Sequence, residues 1–278
     1  MATAKAISRW IGPLAALTVL ASCGGGGPDN IPLENFTAAE IYQRGEFELE
    51  KRRPDDAAQI FSEIERLYPY SEWAKRALIM QAFSYHKDAD YANSRASAQR
   101  YLDFYPADED AAYAQYLLAL SYYDQIDDIG RDQGLTFQAL QALRVVIERY
   151  PNSDYARSSV LKFDLAFDHL AAKEMEIGRF YQKRGNFTAA ANRFRVVVEQ
   201  FQTTTQTAEA LHRLVESYLA LGLEAEAQTA GAILGHNFRS TDWYEDSYAL
   251  LTGRGLRPEA ASGNGWLARF YRQTVGGQ

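Results

Sequence analysis

The chain has 278 residues, 47% of them apolar and 13% aromatic, with 36 acids against 29 Lys and Arg for a net charge of −7. The acidic balance argues against nucleic acid, whose phosphates call for a basic face. The single cysteine, Cys23, excludes an intramolecular disulfide framework and a thiolate metal cluster.

Residues 1–22 begin with a positive segment, Lys5 and Arg9, followed by the apolar run Ile11 to Leu20. That run is about 10 residues long, half of the roughly 20 that a membrane span needs, so it reads as a signal to be removed. It ends Leu20-Ala21-Ser22-Cys23, which resembles the lipobox of a bacterial lipoprotein. The resemblance implies an S-diacylglycerol and an N-acyl group on Cys23, with no other cofactor. Two or more chains anchor a protein stably where one does not. Gly24, in place of the Asp that often retains lipoproteins at the inner membrane, points to the outer membrane. A secreted protein with a chance cysteine is the competing reading. Without residues 1–22 the net charge becomes about −9, so lipid rather than charge is the expected anchor. Residues 23–35 show no apolar period and read as a flexible tether.

The remaining roughly 240 residues exceed a usual single globular domain and suggest an array. A recurring helix stop, aromatic then proline, appears at Tyr68-Pro69, Tyr105-Pro106 and Tyr150-Pro151, with a degenerate copy at Phe201-Gln202. Proline cannot continue a helix because it lacks the N–H and crowds the preceding turn. Counting back on the 34-residue tetratricopeptide frame puts small or aromatic residues where two paired helices meet. The sets are Gly45, Ala57 and Phe61; Ala82, Ala98 and Tyr101; Ala119, Ala139 and Val146; Gly178, Ala190 and Phe194; and Tyr218, Ala227 and Leu234. No alternating strand pattern competes. The expected fold is all-α, a tetratricopeptide superhelix of about five repeats. Its N-terminal half covers 36–122 and its C-terminal half 123–252. The extra length lies in an acidic insertion, Gln125 to Gln133, and in a helix of more than 25 residues from Ser153 to Lys183. The tail, 253–278, is rich in glycine and carries Trp266, Leu267, Phe270 and Tyr271 at helical spacing. It fits equally a cap on the solenoid or an amphipathic segment on a partner or membrane interface.

The segments Arg66 to Ser71, Tyr85 to Tyr91, Asp127 to Asp132 and Tyr181 to Phe187, with Asn192-Arg193, resemble the BamD family of repeat-bearing lipoproteins. The resemblance spans the mature chain. It implies a scaffold of the machinery that inserts β-barrels into the outer membrane, facing the periplasm. The expected partners are BamA, accessory lipoproteins of the same complex, and unfolded outer-membrane β-barrel proteins. The family usually keeps a proline where this chain has Gln202. Another periplasmic repeat adaptor, linked to cell division or peptidoglycan, is the alternative.

On the repeat frame, positions 2, 5, 9 and 12 of each first helix face the concave groove. They include Tyr42; Arg76, Ile79, Phe83 and His86; and Tyr113, Tyr116, Leu120 and Tyr123. This aromatic set suits an extended, partly apolar peptide, since tyrosine offers contact area with a polar tip at small entropy cost. For any single tyrosine, packing against the adjoining repeat is the competing reading. In relatives the N-terminal repeats are thought to receive unfolded barrel substrates and the C-terminal repeats to dock BamA. Phe187, Arg193 and Arg195 are the BamA-facing candidates, because an arginine can pair bidentately with an acidic partner. An ordinary surface arginine is the competing reading. Asp127, Asp128 and Asp132 read as a solvated loop that could touch partners. No metal or catalytic site is expected: His86, His169, His212 and His236 are scattered, and only His169 with Glu174 and Glu176 offers a conceivable metal set.

Overall fold

The computed structural model describes residues 32–260 and 265–274. Cys23, the signal segment and the tether up to residue 31 lie outside them. The described residues are helical, with no strand among them. The tether expected to run to residue 35 stops earlier, because Leu33–Asn35 form a 3-10 turn and Leu33 and Phe36 pack on the first repeat. Tyr68 Oη fixes that entry by donating to the Phe36 carbonyl at 2.6 Å.

Five antiparallel-type helix pairs follow, each helix packing on the next. They are α1 (Ala38–Glu50) with α2 (Pro54–Leu67), α3 (Glu72–Lys87) with α4 (Tyr91–Phe104), α5 (Ala111–Tyr123) with α6 (Gly134–Arg149), α7 (Asp154–Lys183) with α8 (Phe187–Gln200), and α9 (Thr207–Ala220) with α10 (Glu224–Asn237). The first helices also touch one another, α1 on α3, α3 on α5 and α5 on α7, so they form the tighter inner row of the array. Local chemistry sets the helix starts. Thr37 and Glu40 form a reciprocal capping box on α1, Ser71, Asp90, Ser153 and Asn186 cap α3, α4, α7 and α8, and Pro54 occupies the first turn of α2.

The small residues of the frame are where helices meet most closely. A Cβ on Gly45 would sit 2.6 Å from the Phe61 ring, and one on Gly178 2.4 Å from the Phe194 ring, so each phenylalanine needs its glycine. Ala57, Ala82, Ala98, Ala119, Ala139, Ala190 and Ala227 are all fully buried.

All five helix stops share one geometry. Tyr68, Tyr105, Tyr150, Phe201 and Phe238 have φ between −125° and −135°, and each N–H reaches the carbonyl four residues back. The fourth stop holds without proline. Phe201 is buried against Phe167, ring centroids 4.9 Å apart, and its carbonyl accepts from the hydroxyls of Thr204 at 2.7 Å and Thr207 at 2.9 Å.

The turn inside four of the pairs also repeats, with one residue at positive φ: Arg52, Ala89, Gly185 and Gly222. The same turn recurs after α11 (Asp242–Thr252), where Gly255 has φ +73° and Leu256 N–H bonds to the Leu251 carbonyl as Leu223 does to Tyr218. Helix α11 is therefore the first helix of a sixth, incomplete repeat, which the five-repeat expectation did not include. It packs on α9 as a first helix should. No second helix follows directly. The chain turns back at Pro258, which lies over Gly231, and forms α12 (Trp266–Thr274) against α10. The described part of the tail thus packs on the helices of the last repeats.

The buried core differs along the array. Repeats one to three hold four small clusters, whereas one continuous cluster runs from Leu140 through α7 to α11 and on to Leu267. The thirty-residue α7 belongs to both regions: Tyr155, near its start, packs on the third repeat, and Met175 is fully buried in the large cluster.

Candidate functional site: the concave aromatic wall

The inner row of α1, α3, α5 and the start of α7 carries a row of aromatic rings. Tyr42 on α1 contacts Phe61 at 5.3 Å and Trp73 at 5.1 Å between centroids. Arg76, exposed one turn after Trp73, holds its guanidinium 5.4 Å from that ring. On α3, Phe83 is half-buried with Lys87 Nζ 5.4 Å above it. The His86 ring meets Tyr91 edge-on at 5.4 Å, and its Nε2 lies 3.0 Å from Asp124 Oδ2, off the angle of a hydrogen bond. Burial lowers the His86 pKa against the pull of Asp124.

Tyr155 joins the third repeat to α7. Its ring lies 5.1 Å from Tyr113 and 5.4 Å from Tyr116. Burial raises the phenol pKa of both partners, that of Tyr113 to about 12, so both remain neutral hydrogen-bonding groups at any physiological pH. Leu120 is half-buried, and Tyr123 lies under Lys162 Nζ at 4.9 Å.

Of the nine groove candidates, eight are exposed or half-buried along this wall. Ile79 is not: at 7% exposure it packs beside Leu78, Tyr101 and Leu102 in the second repeat's core. Trp73, Tyr155 and Lys162 are wall residues outside the candidate set. Trp73 lies before position 2 of the frame, and Tyr155 belongs to the first turn of a helix whose extra length displaces the repeat count.

The three partner-facing candidates are not brought together. Two residues apart on a helix point in nearly opposite directions. Arg193 turns to α7 and binds Glu174 through Nη1 at 3.0 Å, whereas Arg195 pairs with Glu199 at 2.9 Å and lies 4.8 Å from the Trp266 ring of α12. Phe187 is half-buried at the first position of α8.

The acidic insertion folds on itself. Asp127 pairs with Arg131 at 3.1 Å, and Asp128 and Asp132 accept from the N–H groups of Gly130 and Gly134. The conceivable metal set does not converge, since His169 Nδ1 meets Gln133 Oε1 at 3.1 Å, Glu174 is held by Arg193 and Glu176 approaches Lys173.

Beyond α7 the inner row changes character. Glu209 takes Arg179 at 3.0 Å and Arg213 at 3.2 Å, and Glu216 takes Arg213 at 2.8 Å and Gln182 at 2.9 Å. His212 approaches Glu216 at 3.6 Å and bonds Ser247 Oγ at 2.9 Å. Trp243 closes the row, 5.3 Å from His212. Burial pushes the Glu216 carboxyl up, but His212, Arg213 and Gln182 outweigh it and leave its pKa at about 2.

Residues 34–233 match the family model YfiO, described as outer membrane lipoprotein. The chain is 44% identical over 245 residues, 88% of its length and 80% of the relative, to the outer membrane protein assembly factor BamD of Caulobacter vibrioides. This chain belongs to the BamD (YfiO) family. The BamD of Rickettsia prowazekii is 41% identical over 86% of this chain and 96% of its own length. The family is one of outer-membrane assembly factors, not of enzymes. Among solved structures, a thermophilic tetratricopeptide protein of Thermus thermophilus covers 78% of this chain and 100% of its own, with TM-score 0.37 and 18% identity. PilW, a type IV pilus biogenesis factor, covers 75% of this chain and 97% of its own with TM-score 0.34 and 13% identity. Among the described residues no helix is long and apolar enough to cross a membrane.

Proposed function

We propose that this chain is a scaffold subunit of the machinery that assembles β-barrels in the outer membrane. In this reading Cys23 carries the lipid that holds it at the inner face of that membrane. The concave aromatic wall receives extended segments of unfolded barrel proteins, and the C-terminal repeats dock BamA. Accessory lipoproteins of the complex would bind elsewhere on its surface.

The observation that supports it most is the row of rings borne on four successive first helices, with Tyr42 and Trp73 in contact at one end and Tyr113, Tyr116 and Tyr155 at the other. Strands of a barrel alternate apolar and polar side chains, with aromatic residues at the membrane rims. A row of half-buried rings with hydroxyl tips matches such a strand, apolar contact on one side and hydrogen bonding on the other. Arg193 supports the docking reading: Glu174 occupies one face of its guanidinium while its side chain stays 42% exposed, leaving donors for a partner carboxylate.

A photo-crosslinker at Tyr116 tests the groove. Crosslinks to a peptide from the C-terminal strand of a porin are the expected result, and crosslinks absent at Tyr116 yet present on the outer helix α6 would overturn the assignment. Arg193→Ala should reduce co-purification of BamA without changing helix content. Cys23→Ser should release the protein from the membrane fraction.

A further inference from the structure

The tail is seated in a groove, and α12 owes its order to that seat. Helix α12 has nine residues, well short of the 12–15 at which isolated helices become marginally stable in water. Leu267 and Ala268 are buried at 3% and 6% exposure, and Phe270 and Tyr271 pack on the large C-terminal core. Trp266 donates from Nε1 to Tyr218 Oη at 3.2 Å while the Arg195 guanidinium lies 4.8 Å from its ring. The receiving surface thus combines α8, α9 and α10, helices of two successive repeats. Only a short stretch of chain, Leu256 to Gly265, separates the exit turn of α11 from Trp266, so α12 is never far from this groove.

We infer that this surface on α8–α10 is a binding groove for an amphipathic helix presenting a tryptophan or other large aromatic beside leucine, and that α12 is its built-in occupant, displaced when such a partner binds. Three features carry this. The sixth repeat stops after its first helix, so α12 does not continue the array but runs back onto α10. The contacts are those of a helix laid in a groove, with neighbouring apolar anchors on one side and an arginine stacked over the tryptophan. The cover also engages one cation that a partner could use: Arg195 pairs with Glu199 and lies over Trp266 while its side chain stays 39% exposed. The inference stands whichever polypeptide the concave wall receives.

A short covalent link gives α12 an effective concentration in the millimolar range, so a free copy competes poorly until the latch is opened. A fluorescent peptide of residues 265–274 is the probe, titrated into the detergent-purified full chain. Opening the latch by Trp266→Ala, and separately by Leu267→Asp, should tighten binding of the wild-type-sequence peptide at least tenfold relative to the unaltered chain, with circular dichroism showing the repeats retained. Adding Arg195→Ala to the opened chain should weaken the peptide again by roughly tenfold. Equal affinity for opened and unaltered chains, or no binding to either opened chain, would overturn the inference.

Discussion

The inner row of helices presents two different surfaces in one molecule. From α1 to the start of α7 it is a wall of half-buried rings, Tyr42, Trp73, Phe83, Tyr113, Tyr116 and Tyr155, backed by small separate cores. From the end of α7 to α11 it is a lattice of paired charges, Arg179, Glu209, Arg213 and Glu216, over one continuous core. The same repeat geometry thus serves unlike ends. Tyrosine hydroxyls and ring faces accept many sequences with little rearrangement, whereas charges already saturated by one another have little left to offer an extended peptide. The first surface suits transient contact, and the second fixes the angle between repeats.

The contrast is broken most directly in the cores. Phe194→Ala should cost about 3–5 kcal/mol and, because its cluster is continuous, should raise hydrogen exchange from α7 through α11 together. Phe61→Ala, similar in chemistry, should loosen the first repeat while the C-terminal amides stay protected. Uniform exchange in both variants would mean that the cores are not separate.

Arg213→Ala leaves Glu209 with Arg179 alone and Glu216 with Gln182 and His212, and should destabilise by about 2 kcal/mol in urea melts while leaving peptide affinity at the N-terminal wall unchanged. Tyr155→Ala should do the reverse, weakening a barrel-strand peptide by roughly tenfold, or about 1.4 kcal/mol, with a smaller effect on stability. If both variants moved both quantities equally, the division of labour would fail.

Acid tests one ion-paired carboxylate in each half. Lys75, Tyr101 Oη and the Asp110 N–H hold the Asp108 carboxyl down at about 2, and Glu216 lies at about 2 as described. Both values are below the unfolded ones of 3.8 and 4.5, so each group contributes stability that is present above its unfolded pKa and lost as pH falls toward 2. Asp108→Asn and Glu216→Gln should each flatten the stability profile between about pH 4.5 and 2. The smallest effect is expected at the fourth stop: Gln202→Pro should be neutral or stabilising by about 0.5 kcal/mol in thermal melts, since Phe201 already has the backbone of the residues that precede proline elsewhere.

The helix pairs were legible because the frame is enforced by contact: Gly45 against Phe61 and Gly178 against Phe194 leave no alternative residue. The long α7 was legible from its uninterrupted apolar spacing. The sixth first-helix was not, because its turn, Gly253-Arg254-Gly255, reads as the start of a glycine-rich tail and no aromatic-proline stop follows it. Frame positions placed most of the wall but misplaced Ile79, whose rotation into the second repeat's core depends on how α3 packs rather than on its spacing. The separation of Arg193 from Arg195 could have been read from their spacing of two. The docking of α12 could not, since nothing in an amphipathic nonamer names the surface it will choose.

A thirty-residue helix rises about 45 Å, and α7 gives that length to a body without an internal boundary. Its first turns complete the wall of rings and its last turns anchor the charge lattice, so neither end is intact without the other. Any cleavage between the two surfaces must pass through it and leave both fragments with a frayed, uncovered end. The consequence is that α7 itself should resist limited proteolysis, and fragments divided within it should be recovered folded only when produced together.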